Sequence, residues 1–294
     1  MKIGVTGGNG FLGKYVVDAL QNKGYEAIAI SRSDYGNNIT TNYSVEDLTT
    51  KLNHVDGLIH LAGVRNPSPW YSDYNEITKV TQNLFEACKI NGINNVVFAS
   101  SISIYDDQEL LPWSEKQIPS PVSMYGINKY TCELIGNRYA KLYGIKVKNL
   151  RFAHLFGFNE KNNYMINLFM RKAFNSSQIS VDIPNNSKRE FLYAKDAAKA
   201  TMSALEYSES GTFNIGNKNC ILTNEEVANK INTVFNNETD VKKNIKDNQV
   251  LKSSFMTDIE SNNNLNFHPE YTFEEALGEI YEQMKGLSHV PELY

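Results

Sequence analysis

Cysteine is scarce in this chain, with three in 294 residues. Cys88, Cys132 and Cys220 are odd in number and widely spaced, so neither a disulfide framework nor a cysteine-based zinc site is expected. The five histidines (His54, His60, His154, His268 and His289) show no metal-ligand spacing. Long apolar runs are also missing, since no segment reaches the ~20 residues needed to span a bilayer. The first residues, Met1-Lys2-Ile3-Gly4-Val5-Thr6-Gly7, enter a strand and a glycine turn without the apolar core of a signal peptide. No membrane partner is expected, and the chain reads as cytoplasmic. Nor is there a surplus of positive charge: 29 Lys and Arg face 33 Asp and Glu, a net −4, so no basic field invites nucleic acid. An anionic small substrate would need cations placed locally.

What is present is an ordinary globular mixture, 41% hydrophobic and 21% charged, enough for one large or two small cores. Short apolar runs at 3–6, 26–30, 57–62, 95–100 and 147–152 alternate with longer mixed segments, the βαβ pattern of a parallel sheet. Between the first two runs, Leu12, Val16 and Leu20 recur on one helical face. The runs are too continuously apolar for a sheet with one wet face, so helices should cover both sides. The expected fold is α/β, a Rossmann-like doubly wound parallel sheet with a smaller α/β C-terminal substrate domain. We place the Rossmann-like domain at 1–160 with a return segment near 190–215, and the smaller domain at 161–294. Helices are expected over 164–174, 196–206, 224–235 and 273–284. A loop is expected at 184–189, with surface loops and short elements in the Asn- and Lys-rich stretch 236–266. The cleft between the two parts is the default ligand site.

Directly after the first strand stands Thr6-Gly7-Gly8-Asn9-Gly10-Phe11-Leu12-Gly13. A dinucleotide needs a tight turn there, a backbone that approaches the pyrophosphate, and free N–H groups at a helix start. Gly7, Gly10, Phe11, Leu12 and Gly13 are the candidates. The string nearly matches an ATP-binding P-loop through Gly13-Lys14, but Tyr15 stands where the magnesium-binding Ser or Thr belongs. The second strand ends Ile30-Ser31-Arg32-Ser33, without the carboxylate that usually binds the ribose 2′-hydroxyl of NAD. Ser31 and Arg32 can donate to a 2′-phosphate, which tilts the expectation toward NADP over NAD.

Tyr125-Gly126-Ile127-Asn128-Lys129 puts a phenol and an ammonium four residues apart, on one helical face. A free phenol titrates near 10, so work at neutral pH needs a nearby positive charge in a partly dry site. Ser100, Ser101 and Ser103, at the end of a central strand, are candidates to bind the reacting oxygen. With 17 tyrosines in the chain, Tyr125 alone would mean little; the glycine turn and the serine-ended strand before it give the pair its weight.

Together these blocks resemble the extended short-chain dehydrogenase/reductase family, the sugar-nucleotide epimerases, dehydratases and ketoreductases. The further markers are His60-Leu61-Ala62-Gly63, Ser100-Ser101-Ile102-Ser103-Ile104-Tyr105, Leu150-Arg151-Phe152, Lys188-Arg189-Glu190-Phe191-Leu192-Tyr193 and Phe213-Asn214-Ile215-Gly216. The resemblance implies that Tyr125 is the catalytic acid/base with Lys129 as its partner, and that Ser101 binds the reacting oxygen. It puts Leu61, Ala62, Gly63 and Lys129 beside the cofactor. Ser103, His154 and Arg189 fall to the substrate, Arg189 to its diphosphate. Ile102-Ser103 stands where the dehydratases carry Asp-Glu, which argues against elimination of water. The implied activity is an NAD(P)-dependent epimerase or 4-ketoreductase acting on a nucleotide sugar at a ring carbon. The contrasting reading, a non-catalytic dinucleotide sensor or scaffold, should have lost the Tyr–Lys pair. A homodimer through helices near 75–90 and 125–143 is the resemblance's implication for assembly.

Overall fold

The computed structural model describes residues 1–34, 36, 38–64, 68–184, 186–246 and 252–294. Its first half runs β1 (Lys2–Thr6), α1 (Phe11–Asn22), β2 (Glu26–Ser31), β3 (Ile39–Thr40), α2 (Val45–Lys51), β4 (Gly57–His60), α3 (Asn75–Asn91), β5 (Asn95–Ser101), α4 (Met124–Tyr143) and β6 (Lys146–Phe152). The second half adds β7 (His154–Phe156), α5 (Met165–Phe174), β8 (Ser180–Ile183), β9 (Arg189–Tyr193), α6 (Ala194–Glu206) and β10 (Gly211–Ile215). It ends with β11 (Ile221–Leu222), α7 (Asn224–Val234), β12 (Lys242–Ile245), α8 (Ile259–Leu265) and α9 (Phe273–Lys285).

Seven strands form one parallel sheet in the order β10-β6-β5-β4-β1-β2-β3. This is the doubly wound α/β fold that the alternating apolar runs announced. Gly13, Val16 and Leu20 of α1 turn inward on one face, and Val80, Leu84 and Cys88 of α3 on the other. Each face thus carries its own hydrophobic cluster, which is why the central strands need no polar side. A third cluster joins α5, α7 and α9 around Phe156, Phe191 and Tyr193 in the second half. The chain returns between these regions, with α6 packed on α1 and β10 forming the sheet's edge.

One strand is shorter than its apolar run. The run at 57–62 leaves the sheet after His60, because the Thr6 carbonyl accepts from Leu61 N at 3.2 Å and its hydroxyl from Ala62 N at 3.2 Å. The chain is thereby pulled over the glycine turn. Strand order reverses between β1 and β4, and a cleft opens at the C-terminal ends of the strands there, as the doubly wound topology requires.

Candidate active site

A cleft of about 1100 Å³ lies over this switch point. It is lined by Gly7, Phe11, Leu12, Gly13, Ser31, Arg32, Leu61, Ala62, Gly63, Ser101, Ser103, Tyr125, Lys129, His154 and Arg189. Of the residues singled out from the sequence, Gly10 alone is not in its wall. It caps α1 and donates its N–H to the Gly7 carbonyl at 2.8 Å, holding the turn from behind. Arg65, just past the Ala62-Gly63 turn in sequence and expected there to face solvent, lies outside the described residues.

The residues at one end fit a dinucleotide. Gly7 has φ +69°, and a Cβ there would sit 3.0 Å from Ala62 N, so the turn and the β4 exit close tightly on each other. Gly10 offers α1 no side-chain cap, while Phe11, Leu12 and Gly13 of the first turn line the cleft. A helix start with unclaimed N–H groups is a phosphate site. Tyr15, which ruled out a P-loop, tethers a neighbouring loop instead: its hydroxyl accepts from Phe158 N at 2.8 Å, and burial pushes its pKa up to about 12.

At the β2 end, Ser31 and Arg32 are already engaged. The Ser31 hydroxyl donates to the Ser33 carbonyl at 2.6 Å and accepts from Asn38 Nδ2 at 2.8 Å. Arg32 Nη1 lies 2.5 Å from Glu76 Oε1, which comes from the first turn of α3 and also lines the cleft. Glu76 escaped the sequence reading because it belongs to no motif and meets Arg32 only through the packing of α3.

Between the glycine turn and α3, His60 is buried. The Thr81 hydroxyl donates to the Ile77 carbonyl at 2.8 Å, so His60 Nε2 must be the donor in its 3.0 Å contact with Thr81 Oγ1. Nδ1 then accepts from Thr6 Oγ1 at 2.7 Å. Burial, with the nearby Lys129 charge, pushes the imidazole pKa down to about 3, so His60 is a neutral brace between the glycine turn and α3.

Ser123 caps α4 by accepting from Gly126 N at 3.0 Å, which puts Tyr125 in the first turn and Lys129 one turn on. The helix is pressed onto the chain just after β5: a Cβ on Gly126 would fall 2.0 Å from the Ser103 carbonyl oxygen. Tyr125, Ser101 and Ser103 thereby line the same cleft. Lys129 is buried, donates to the Ala99 carbonyl at 2.7 Å and has its Nζ 5.9 Å from the Tyr125 ring centre. Ser101 Oγ accepts from Ser103 N at 3.1 Å.

Behind these residues runs a buried chain of polar groups, headed by Ser100; all but Glu133 lie in the marker blocks, which did not reveal that they bond to one another. Ser100 Oγ donates to Glu133, whose carboxylate takes a forked contact from Arg151 at 3.0 and 2.8 Å. Arg151 also donates to Tyr105 Oη at 2.6 Å, and Tyr105 Oη lies 3.0 Å from Asn214 Oδ1. The chain ties β5, α4, β6 and β10 together under the site.

Toward the far wall, His154 Nε2 meets Ser254 Oγ at 3.1 Å. Arg189 donates to Asn224 Oδ1 at 3.3 Å, and burial lowers its pKa. Next to it, the buried Glu190 carboxylate accepts from Met256 N at 2.8 Å, and burial pushes its pKa up to about 7. Trp113 stacks on Tyr105 inside the core, whereas Trp70 is exposed.

A sequence model of the NAD-dependent epimerase/dehydratase family matches residues 3–216. The solved structure of a UDP-N-acetylglucosamine 4-epimerase from Bacillus cereus is 46% identical with a TM-score of 0.95, each chain covered in full. A second UDP-N-acetylglucosamine 4-epimerase, from Methanobrevibacter ruminantium M1 in complex with UDP-N-acetylmuramic acid, is 26% identical with a TM-score of 0.86. That match covers 97% of this chain and 98% of the other. The UDP-glucose 4-epimerase of Corynebacterium glutamicum is 26% identical over 250 residues, 74% of this chain and 75% of its own. Among the described residues, no helix is long and apolar enough to cross a membrane.

Proposed function

The chain belongs to the NAD-dependent epimerase/dehydratase family, and we propose that it is a UDP-sugar 4-epimerase with Tyr125 as its acid/base. The observation that carries the reading is that Tyr125, Lys129, Ser101 and Arg189 share one cleft with the glycine turn. The full-length likeness to a UDP-N-acetylglucosamine 4-epimerase supports the choice of epimerisation and makes UDP-N-acetylglucosamine the first substrate to test.

In this reading Arg189 holds the substrate diphosphate, its planar fork matching phosphate oxygens, while His154 and Ser103 flank the sugar. Ser101 Oγ hydrogen-bonds the oxygen at C4, and Tyr125 Oη takes the proton of the C4 hydroxyl. Lys129, held by the Ala99 carbonyl, keeps a positive charge beside the phenol when the proton leaves. A dinucleotide held by the glycine turn and Lys129 would supply a reversible hydride acceptor at C4, so the cycle would involve no net oxidation. Anchoring at the diphosphate leaves the sugar able to turn, and Tyr125 gives the proton back once the opposite face is presented. Inversion at C4 follows. As in the resemblance, we propose a homodimer through α3 and α4, whose outer faces expose Ile90, Leu134 and Leu142.

The test is to incubate the protein with UDP-N-acetylglucosamine and follow the C4 epimer by NMR, with dinucleotide only in catalytic amount. Stoichiometric consumption of a reduced dinucleotide with a 4-keto sugar, and no inversion of any UDP-hexose, would refute epimerisation. Tyr125→Phe should abolish turnover while dinucleotide binding stays nearly intact; retained turnover would mean another group moves the proton.

A further inference from the structure

We propose that Glu76 selects NAD over NADP, supplying from α3 the carboxylate that the end of β2 lacks. The inference rests on the dinucleotide-dependent reading above and deepens it at the adenosine ribose, which in this topology sits where β2 ends beside the glycine turn.

A 2′-phosphate is nearly a dianion at neutral pH and offers only acceptors, so it needs hydrogen-bond donors around it. Among the described residues lining the cleft, two candidates stand at this corner, and both are already engaged. Ser31 gives its one hydroxyl proton to the Ser33 carbonyl at 2.6 Å. Arg32 is held 2.5 Å from the Glu76 carboxylate. Among the described residues lining the cleft, Lys129 and Arg189 are the remaining Lys and Arg, and they belong to the Tyr125 and substrate ends.

The same corner suits a ribose diol. A free 2′-hydroxyl brings a proton to donate, and Ser31 Oγ, with one lone pair given to Asn38 Nδ2, keeps another to receive it. Glu76 offers carboxylate oxygens as well. A 2′-phosphate placed here would meet that carboxylate directly and would have to share Arg32 with it. Arg32 and Glu76 are 65% and 67% exposed, so the pair adds little to folding. Its consequence falls on the ligand.

The experiment is a fluorescence titration of the full chain, stripped of any co-purifying nucleotide, with NADH and with NADPH. The wild-type protein should bind NADH about tenfold more tightly or better, the size that one carboxylate–phosphate repulsion gives at a partly exposed site. Glu76→Gln should raise NADPH affinity about tenfold, because it removes the charge and frees Arg32, and should not strengthen NADH binding, since the amide oxygen can only stand in for the carboxylate at the ribose. Adding Arg32→Ala to that variant should cancel the gain. A wild-type protein without preference for NADH, or a Glu76→Gln protein with an unchanged ratio, overturns the inference alone, since C4 inversion is measured separately. Binding of neither dinucleotide overturns both this inference and the epimerase reading.

Discussion

Replacing Glu190 by Gln should remove a pH dependence of stability that the wild-type chain carries between about pH 4.5 and 7. The carboxylate is buried, accepts from Met256 N at 2.8 Å, and lies near Asp258; burial first, and then that like charge, raise its pKa from 4.5 to about 7. Below 4.5 it is protonated in both folded and unfolded chains, and its contribution is fully present. As the pH rises to about 7, the unfolded chain gives up this proton while the folded chain keeps it. The unfolded state then binds fewer protons, so stability falls with pH. Above about 7 both states are ionised and the contribution is flat. A rise from 4.5 to about 7, at 1.36 kcal/mol per pH unit, is worth about 3 kcal/mol. Glutamine keeps an oxygen for Met256 N but has nothing to titrate. The assay is urea denaturation of both proteins from pH 4.5 to 8, with the buried Trp113 as the fluorescent reporter. The wild-type stability, taken relative to Glu190→Gln, should drop by about 3 kcal/mol across the window. A difference that is flat, or that rises with pH, would refute the assignment of a protonated buried carboxyl.

Two further perturbations probe the supports of Tyr125. Gly63→Ala would put a Cβ 3.3 Å from Lys129 Nζ, so the ammonium must move by a few tenths of an ångström; that displacement should lower kcat about threefold, with the melting temperature nearly unchanged, as steady-state kinetics and calorimetry would report. Glu133→Gln leaves the buried Arg151 guanidinium without its counter-charge and should cost about 3–5 kcal/mol, whereas Glu133→Gln with Arg151→Met should recover much of that loss. Denaturation curves of the three proteins decide it, and equal losses in the single and double variants would show that the ion pair is not the coupled unit.

Much of the site was legible because local chemistry demanded it. A glycine turn between a strand and a helix, a serine-ended strand, and a phenol four residues before an ammonium each constrain the backbone within a few residues. Alternating apolar runs likewise imply a sheet covered on both faces, and the seven parallel strands follow that pattern. The β2 end was less transparent. Ser31 and Arg32 looked like donors for a 2′-phosphate, and the family to which the chain belongs is NAD-dependent. A side chain's availability depends on what packs beside it, and Glu76 is 44 residues away from Arg32 in sequence.

The buried chain from Ser100 through Glu133 and Arg151 to Tyr105 and Asn214 was invisible for the same reason. Each member comes from a different strand, helix or turn, and none is unusual where it stands. Residue order alone determined which short segments would form strands, which turn would open the first helix, and which phenol had an ammonium one helical turn away. Those are interactions within a few residues, set by periodicity and backbone geometry. Only the tertiary structure decided which charges are already paired, which carboxyl burial shifts upward and how the β4 exit closes over the glycine turn. Desolvation and ion pairing depend on neighbours that folding brings from distant parts of the chain.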